Sequence, residues 1–212
     1  MVYPPLPHRE KNLNAMAALI REFPFAHFIT AAPTLNVTRL PFALDTEEGS
    51  LVRLRAHMNA QNPQAKDLDG ADVLVAFSGP DSYVSPNWRR KADRGATWDY
   101  TAVHVWGKAH VRPERTFFEQ LVDDTAGPAE IAHQGASQKE NWRFAHASDE
   151  YVDRLRPQLT AFEITIDRVE GISKLHQDFP KEDAAKVAEH LDRSPGAYTD
   201  DIAALIRSRI KD

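Results

Sequence analysis

Apolar positions recur along this chain with two periods, near 3.6 residues in some stretches and 2 in others, and each change of period marks an element. Leu13, Met16, Ile20 and Phe23 fall at helical spacing behind Asn12, a residue type that caps helices, and Pro24 should end that helix. Residues 25–32 and 35–44 then read as strands with a tight link at Pro33, and Asp45 to Gly49 reads as a turn. In the strand 50–58, Val52, Leu54, Ala56 and Met58 share one face, while Arg53, Arg55 and His57 lie with Leu51 on the other. The pattern predicts a short helix over 60–70 ending at Gly70, a buried strand over 72–78, and a long alternating strand over 97–111. Helical periods follow over 114–125, 137–146 and 148–156. A late strand over 159–169 carries Phe162, Ile164 and Ile166 on one face, and two helices over 181–192 and 199–210 flank Ser194-Pro195-Gly196. Strands joined by hairpin-length links, with helices late in the chain, predict an α+β fold that is mainly antiparallel β, a barrel or sandwich. The expected organisation is one β domain over 1–180 and a helical extension over 181–212, packed through Ile202, Leu205, Ile206 and Ile210.

Composition narrows the chemistry. At 212 residues with a net charge of −5, the chain offers no broadly basic surface for nucleic acid. Cysteine is absent, which excludes disulfides, thiolate nucleophiles and cysteine-based metal sites. The start, MVYPPLPHRE, has no apolar signal core and no apolar run reaches spanning length, so a soluble cytoplasmic protein is expected. Phosphate-loop, dinucleotide-fingerprint and GxSxG patterns are missing, and the nine histidines show no HxxxH or HxH spacing. His104 and His110 share a strand face without a carboxylate, which is no metal set. Residues 181–211 resemble two helices around a turn, but the second opens on Asp200 and Asp201, where a base-reading helix wants donors.

The segment 79–107, GPDSYVSPNWRRKADRGATWDYTAVHVWG, carries the most chemistry. Tyr83, Trp88, Trp98 and Tyr100 give flat surfaces with polar edges, and Arg89, Arg90, Lys91 and Arg94 can answer an anion. That combination suits a flat phosphorylated ligand; the alternative is a core strand behind a solvated loop. The blocks YPP, HMNAQNPQ, FSGPDSYVSPNW, TWDYTAVHVWG and ISKLHQD occur in an order that resembles the PaiB family, from residue 3 to about residue 190. This family comprises FMN-binding split-barrel proteins described as negative transcriptional regulators. It stands beside the pyridoxamine-phosphate-oxidase-like and flavin-reductase-like barrels.

The resemblance implies a split β-barrel homodimer with FMN at the subunit interface. It implies a phosphate grip from Arg39 together with His57, Asn59, Asn62 and Gln64, with Arg55 on the same strand face as His57. Asn62-Pro63 serves equally as a helix-entry cap. Trp98 and Tyr100 would flank the isoalloxazine or its ribityl chain, and Lys174, His176 and Gln177 would form the rim. Departures from the family pattern are Asp99 where TWNY is usual, His176 and Asp178 where KLSQN is usual, and a shorter loop after Trp88. Three readings follow: an FMN-binding regulator or sensor whose link to DNA is indirect, an FMN-dependent oxidoreductase or flavin reductase, and a flavin-free dimeric scaffold.

Overall fold

The computed structural model describes residues 5–31, 33–134 and 141–211. Tyr3-Pro4, Ala32 and the 137–140 part of an expected helix lie outside the described residues. Eight strands form one sheet: β1 (Arg9–Glu10), β2 (Phe25–Thr30), β3 (Asn36–Pro41), β4 (Ala43–Glu47), β5 (Ser50–Asn59), β6 (Asp72–Val84), β7 (Thr97–Val111) and β8 (Leu159–Lys174). Helices α1 (Leu13–Glu22), α2 (Arg115–Gln134), α3 (Asp149–Leu155), α4 (Lys181–Leu191) and α5 (Thr199–Lys211) complete it. Strand order is β3-β2-β6-β7-β8-β5-β4, with β1 on β8, so the late strand does rejoin the early ones. Two compact units divide the chain. Met1–Leu19, Ser78–His104 and Glu170–Asp212 make the first; Ile20–Phe77 and Val105–Val169 make the second.

In the second unit, Phe28, Phe42, Phe77 and Phe162 pack as a ring cluster with centroids 5.2 to 6.4 Å apart. Phe28, Phe77 and Phe162 are wholly buried, each worth about 2 to 3 kcal/mol of burial. A side chain at Gly107 would meet the Thr165 carbonyl at 2.1 Å, so β7 and β8 approach there only because residue 107 is glycine. In the first unit, α4 and α5 bury Val187, Leu191, Ile202 and Ile206 against Val84 and Leu175, with Leu205 and Ile210 partly covered.

Several boundaries differ from the sequence reading. Residues 35–44 form two strands: β3 ends at Pro41, and the Phe42 N–H donates to the Pro24 carbonyl at 3.0 Å while its ring turns into the core. Asp45 to Glu47 continue β4, and the turn shrinks to Glu48-Gly49, with φ of 49° and 81°; two left-handed residues suit a two-residue hairpin. Over 60–70 only Pro63–Ala65 makes a helical turn, because the Asn59 and Asn62 side chains capture the N–H groups of Gln61 and Gln64 at 2.8 and 3.0 Å. β6 runs on through Gly79-Pro80 to Val84, which makes residues 79–84 strand where a loop was expected. α2 passes through Gly127-Pro128 to Gln134, against the expected stop at 125. The Asn12 cap is present, its Oδ1 accepting from Asn14 N at 2.9 Å and Ala15 N at 3.3 Å.

Candidate functional site

The sequence-predicted site residues divide by unit. Arg39, Arg55, His57, Asn59, Asn62 and Gln64 belong to the second, and Trp98, Tyr100, Lys174, His176 and Gln177 to the first.

In the second unit, the end of β5 and the turn after it meet β3 at an open cavity of about 440 Å³, walled by Asn36, Val37, Thr38, Asn59, Gln61, Asn62, Pro63 and Gln64. Its polar side chains order one another. The Asn62 amide donates to Thr38 Oγ1 at 2.9 Å, and the Thr38 hydroxyl donates to Gln64 Oε1 at 2.6 Å. Gln64, 5% exposed, donates onward to Thr30 Oγ1 at 3.1 Å. Asn59 Oδ1 is used by the turn, whereas Asn59 Nδ2 and the Gln61 side-chain amide have no hydrogen-bond partner among the described residues. The wall therefore offers neutral donors, beside an ordered network, of the kind that phosphate and hydroxyl oxygens accept from.

The three other residues of that set stand elsewhere in the unit. Arg39 is exposed, its guanidinium 4.5 Å over the Phe25 ring and donating to the Phe25 carbonyl at 3.0 Å. His57 meets the Phe118 ring edge-on at 5.6 Å, and its burial holds the imidazole below the ordinary histidine value. Arg55 is 7% exposed and lines a different cavity. Its Nε and Nη2 donate to Asp45 at 2.6 to 3.1 Å, and Nη2 also donates to Asp124 Oδ2 at 2.7 Å. Burial works to raise the Asp45 carboxyl, but hydrogen bonds from Arg55 and Arg53 outweigh it and hold Asp45 below the usual value.

In the first unit, Trp98 is 55% exposed and begins a row of rings. Tyr83 lies 6.2 Å from Trp98 and 6.4 Å from Trp88, and Trp88 stacks on His190 at 5.6 Å. Lys174 donates to the Trp98 carbonyl at 2.6 Å and to the Thr97 hydroxyl. The Gln177 Oε1 accepts from Leu175 N at 2.6 Å, and its amide donates to the Ser173 and Pro7 carbonyls. Tyr100 is half-buried on the face of β7 that also carries Ala102, His104 and Trp106. His176 is buried: its Nδ1 faces Asp99 Oδ2 at 2.5 Å, Arg89 Nε donates to its Nε2 at 3.1 Å, and Phe179 stacks on it at 4.5 Å. Since Nε2 accepts, Nδ1 carries the proton and donates to Asp99.

Sequence reasoning missed this Asp99–His176–Arg89 chain and the Asp45 and Asp124 partners of Arg55. One signal was available. Alternation along β7 puts Asp99 on the buried face with Thr101 and Val103, where a carboxylate requires a partner.

Among the described residues no helix is long and apolar enough to cross a membrane. The family described as "Putative FMN-binding domain" matches residues 2–168. The chain is 29% identical to the uncharacterised protein AN0679 of Emericella nidulans over 95% of each chain. It is 24% identical to the protease synthase and sporulation protein PAI 2 of Bacillus subtilis over 99% of each. Among solved structures, the conserved hypothetical protein Rv2991 of Mycobacterium tuberculosis superposes with a TM-score of 0.56 at 13% identity, covering 84% of this chain and 94% of that one. The flavocytochrome Anf3 of Azotobacter vinelandii gives 0.54 at 13%, covering 78% and 68%. The mainly antiparallel α+β split-barrel class expected from the sequence is the fold observed.

Proposed function

This chain belongs to the FMN-binding domain family, and on that footing we propose that it holds the phosphate and ribityl chain of FMN in the amide-walled cavity of the second unit, as a flavin-linked regulator or sensor. The observation that carries the reading is the free pair of amides, Asn59 Nδ2 and the Gln61 side chain, on a wall already ordered by the Asn62–Thr38–Gln64 hydrogen bonds. A preordered wall loses little conformational entropy when it binds. FMN would supply redox chemistry; the protein residues would bind and orient it. The regulatory half of the reading is supported by the likeness to PAI 2, whose name concerns protease synthesis and sporulation. With a net charge of −5, such regulation runs through the flavin or a protein partner more readily than through direct DNA contact.

Fluorescence titration with FMN tests the cavity. The parent should quench flavin emission, and the Asn59→Ala/Gln61→Ala double variant should weaken binding on the order of tenfold, two modest hydrogen bonds. No spectral change with excess FMN ends the cofactor reading here, and an unchanged constant in the double variant moves FMN out of this cavity. Reduction of the bound flavin by NADH or NADPH much faster than that of free FMN would put the oxidoreductase reading in front.

A homodimer belongs to the same proposal. Its suggested seam is β7, where Tyr100, Ala102, His104 and Trp106 are half-buried opposite the buried Thr101, Val103 and Val105, an aromatic-rich composition of the kind found in interface cores. Light scattering should report a dimer at micromolar concentration that Trp106→Glu weakens; a stable monomer for the parent removes the two-chain site.

A further inference from the structure

Beyond the flavin reading, we propose that the Arg55 cavity is a second binding site, selective for a neutral small molecule with an apolar body and a carboxamide-type edge, a carbonyl oxygen beside an N–H. The cavity measures about 650 Å³, within the roughly 300 to 1,000 Å³ usual for small-molecule sites, and lies wholly in the second unit. Phe42, Ala43 and Leu44 form an apolar floor, and Pro128, Ala129 and Ala132 of α2 form a wall.

At its polar end stands a buried guanidinium that is not fully paired. Arg55 spends Nε and Nη2 on Asp45 and Asp124, and among the described residues no acceptor takes either N–H of Nη1. The Arg55 side chain is only 9% exposed, yet Nη1 is not sealed off, so an acceptor brought in through the cavity can reach it. Beside it, Asp124 gives one oxygen to Arg55, and its Oδ1 has no donor among the described residues, with the side chain 39% exposed. Pro128 has no N–H, so the Asp124 backbone carbonyl also lacks its usual helical donor. Arg55 Nη1 thus offers a donor and Asp124 Oδ1 an acceptor on two groups joined by the 2.7 Å Nη2–Oδ2 contact.

Electrostatics then selects among head groups. A carboxylate on Arg55 would sit against Asp124, and an ammonium on Asp124 would sit against Arg55. Arg53, Arg55 and Arg112 stand against Asp45, Asp124 and Glu163 in one linked network, and Arg21 and Glu22 add one charge of each sign to the lining, so neither charged head gains a net counter-charge. A neutral edge with C=O toward Nη1 and N–H toward Oδ1 satisfies both orphans without bringing a charge in.

Three probes with one ring and different heads test this: benzamide, benzoate and benzylamine, each titrated into the full chain and followed by ligand-observed NMR. Benzamide should bind at least tenfold tighter than the other two. Asp124→Asn, whose carbonyl oxygen would stay on Arg55 and whose NH2 would put a donor where Oδ1 accepts, should weaken benzamide several-fold, and Ala129→Trp, on an exposed stretch of α2, should block it. If Asp124→Asn loses its fold, Ala129→Trp alone decides. Equal binding of all three probes, no binding of benzamide, full binding to Ala129→Trp, or displacement of benzamide by riboflavin would each overturn the proposal. Displacement would assign the cavity to the flavin ring. Failure of FMN to bind the amide-walled cavity leaves this result untouched, so the two sites fail separately.

Discussion

Two arginines of this chain are equally buried, each 7% exposed, and are neutralised in opposite ways. Arg55 meets carboxylates directly, Asp45 through Nε and Nη2 and Asp124 through Nη2. Arg89 meets no carboxylate among the described residues. Its Nε donates to the neutral His176 ring, its Nη1 to the Gly95 carbonyl at 3.2 Å, and its plane lies 4.1 Å over Phe179. The balancing charge, Asp99, stands one imidazole away. Direct pairing holds the charge by Coulomb attraction and makes it sensitive to protonation of the acid. The relay holds it by hydrogen bonding and ring stacking, which depend on one histidine tautomer. Each arrangement leaves polar atoms unmet. For Arg55 the remainder faces a cavity, whereas Arg89 Nη2 and Asp99 Oδ1 are sealed among the described residues. The first is a place for a ligand, and the second is an internal brace.

The largest effect should come from breaking the direct pair. Arg55→Met leaves Asp45 and Asp124 facing each other without their shared cation, and Arg53 alone remains on Asp45. Removing one partner of a fully buried ion pair costs about 3 to 5 kcal/mol, and because Asp45 keeps Arg53 and Asp124 is 39% exposed, urea unfolding should show a loss at the lower end, about 3 kcal/mol. Acid sharpens the contrast. Asp45 is held below its ordinary 3.8, so its contribution is fully present above that value and is lost as pH falls through the lower folded value. The parent should therefore lose stability on acidification below about pH 4, and Arg55→Met should lose less over the same span. Parallel stability–pH curves for the two proteins would show that Arg55 does not hold Asp45 ionised.

What the sequence displayed and what it hid follow from the same distinction. Period and capping made most elements visible: Asn12 before α1, the apolar face of β5, and Ile202 and Ile206 on α5 all sit where spacing put them. The errors came where side chains compete with backbone for hydrogen bonds, as at Asn59 and Asn62, or where proline is tolerated inside an element, as at Pro80 and Pro128. The amides of HMNAQNPQ were visible as a group because they are close in sequence. Arg55, on the same strand face as His57, reads as one of them until α2 brings Asp124 from 69 residues away. Asp99 and His176 looked like separate departures from the family pattern, each adding unfamiliar chemistry to a flavin site. They are 77 residues apart in the chain and bonded to each other, a relation that only the fold creates.

That pairing gives the finer test of the relay. His176→Ser alone strands a wholly buried Asp99 carboxylate and takes the acceptor from Arg89 Nε, and should cost about 2 to 3 kcal/mol. Asp99→Asn alone replaces a charge-assisted bond with a neutral one and leaves Arg89 without its balancing charge, at about 1 to 2 kcal/mol. The double variant Asp99→Asn/His176→Ser removes the stranded carboxylate along with the histidine. Its loss should fall short of the summed single losses by about 1 to 2 kcal/mol, the coupling expected of two groups in one hydrogen-bond network. Equilibrium unfolding of the four proteins measures this directly. Additive losses would mean that the 2.5 Å contact contributes no coupling, and that Arg89 rests on Phe179 and the Gly95 carbonyl alone.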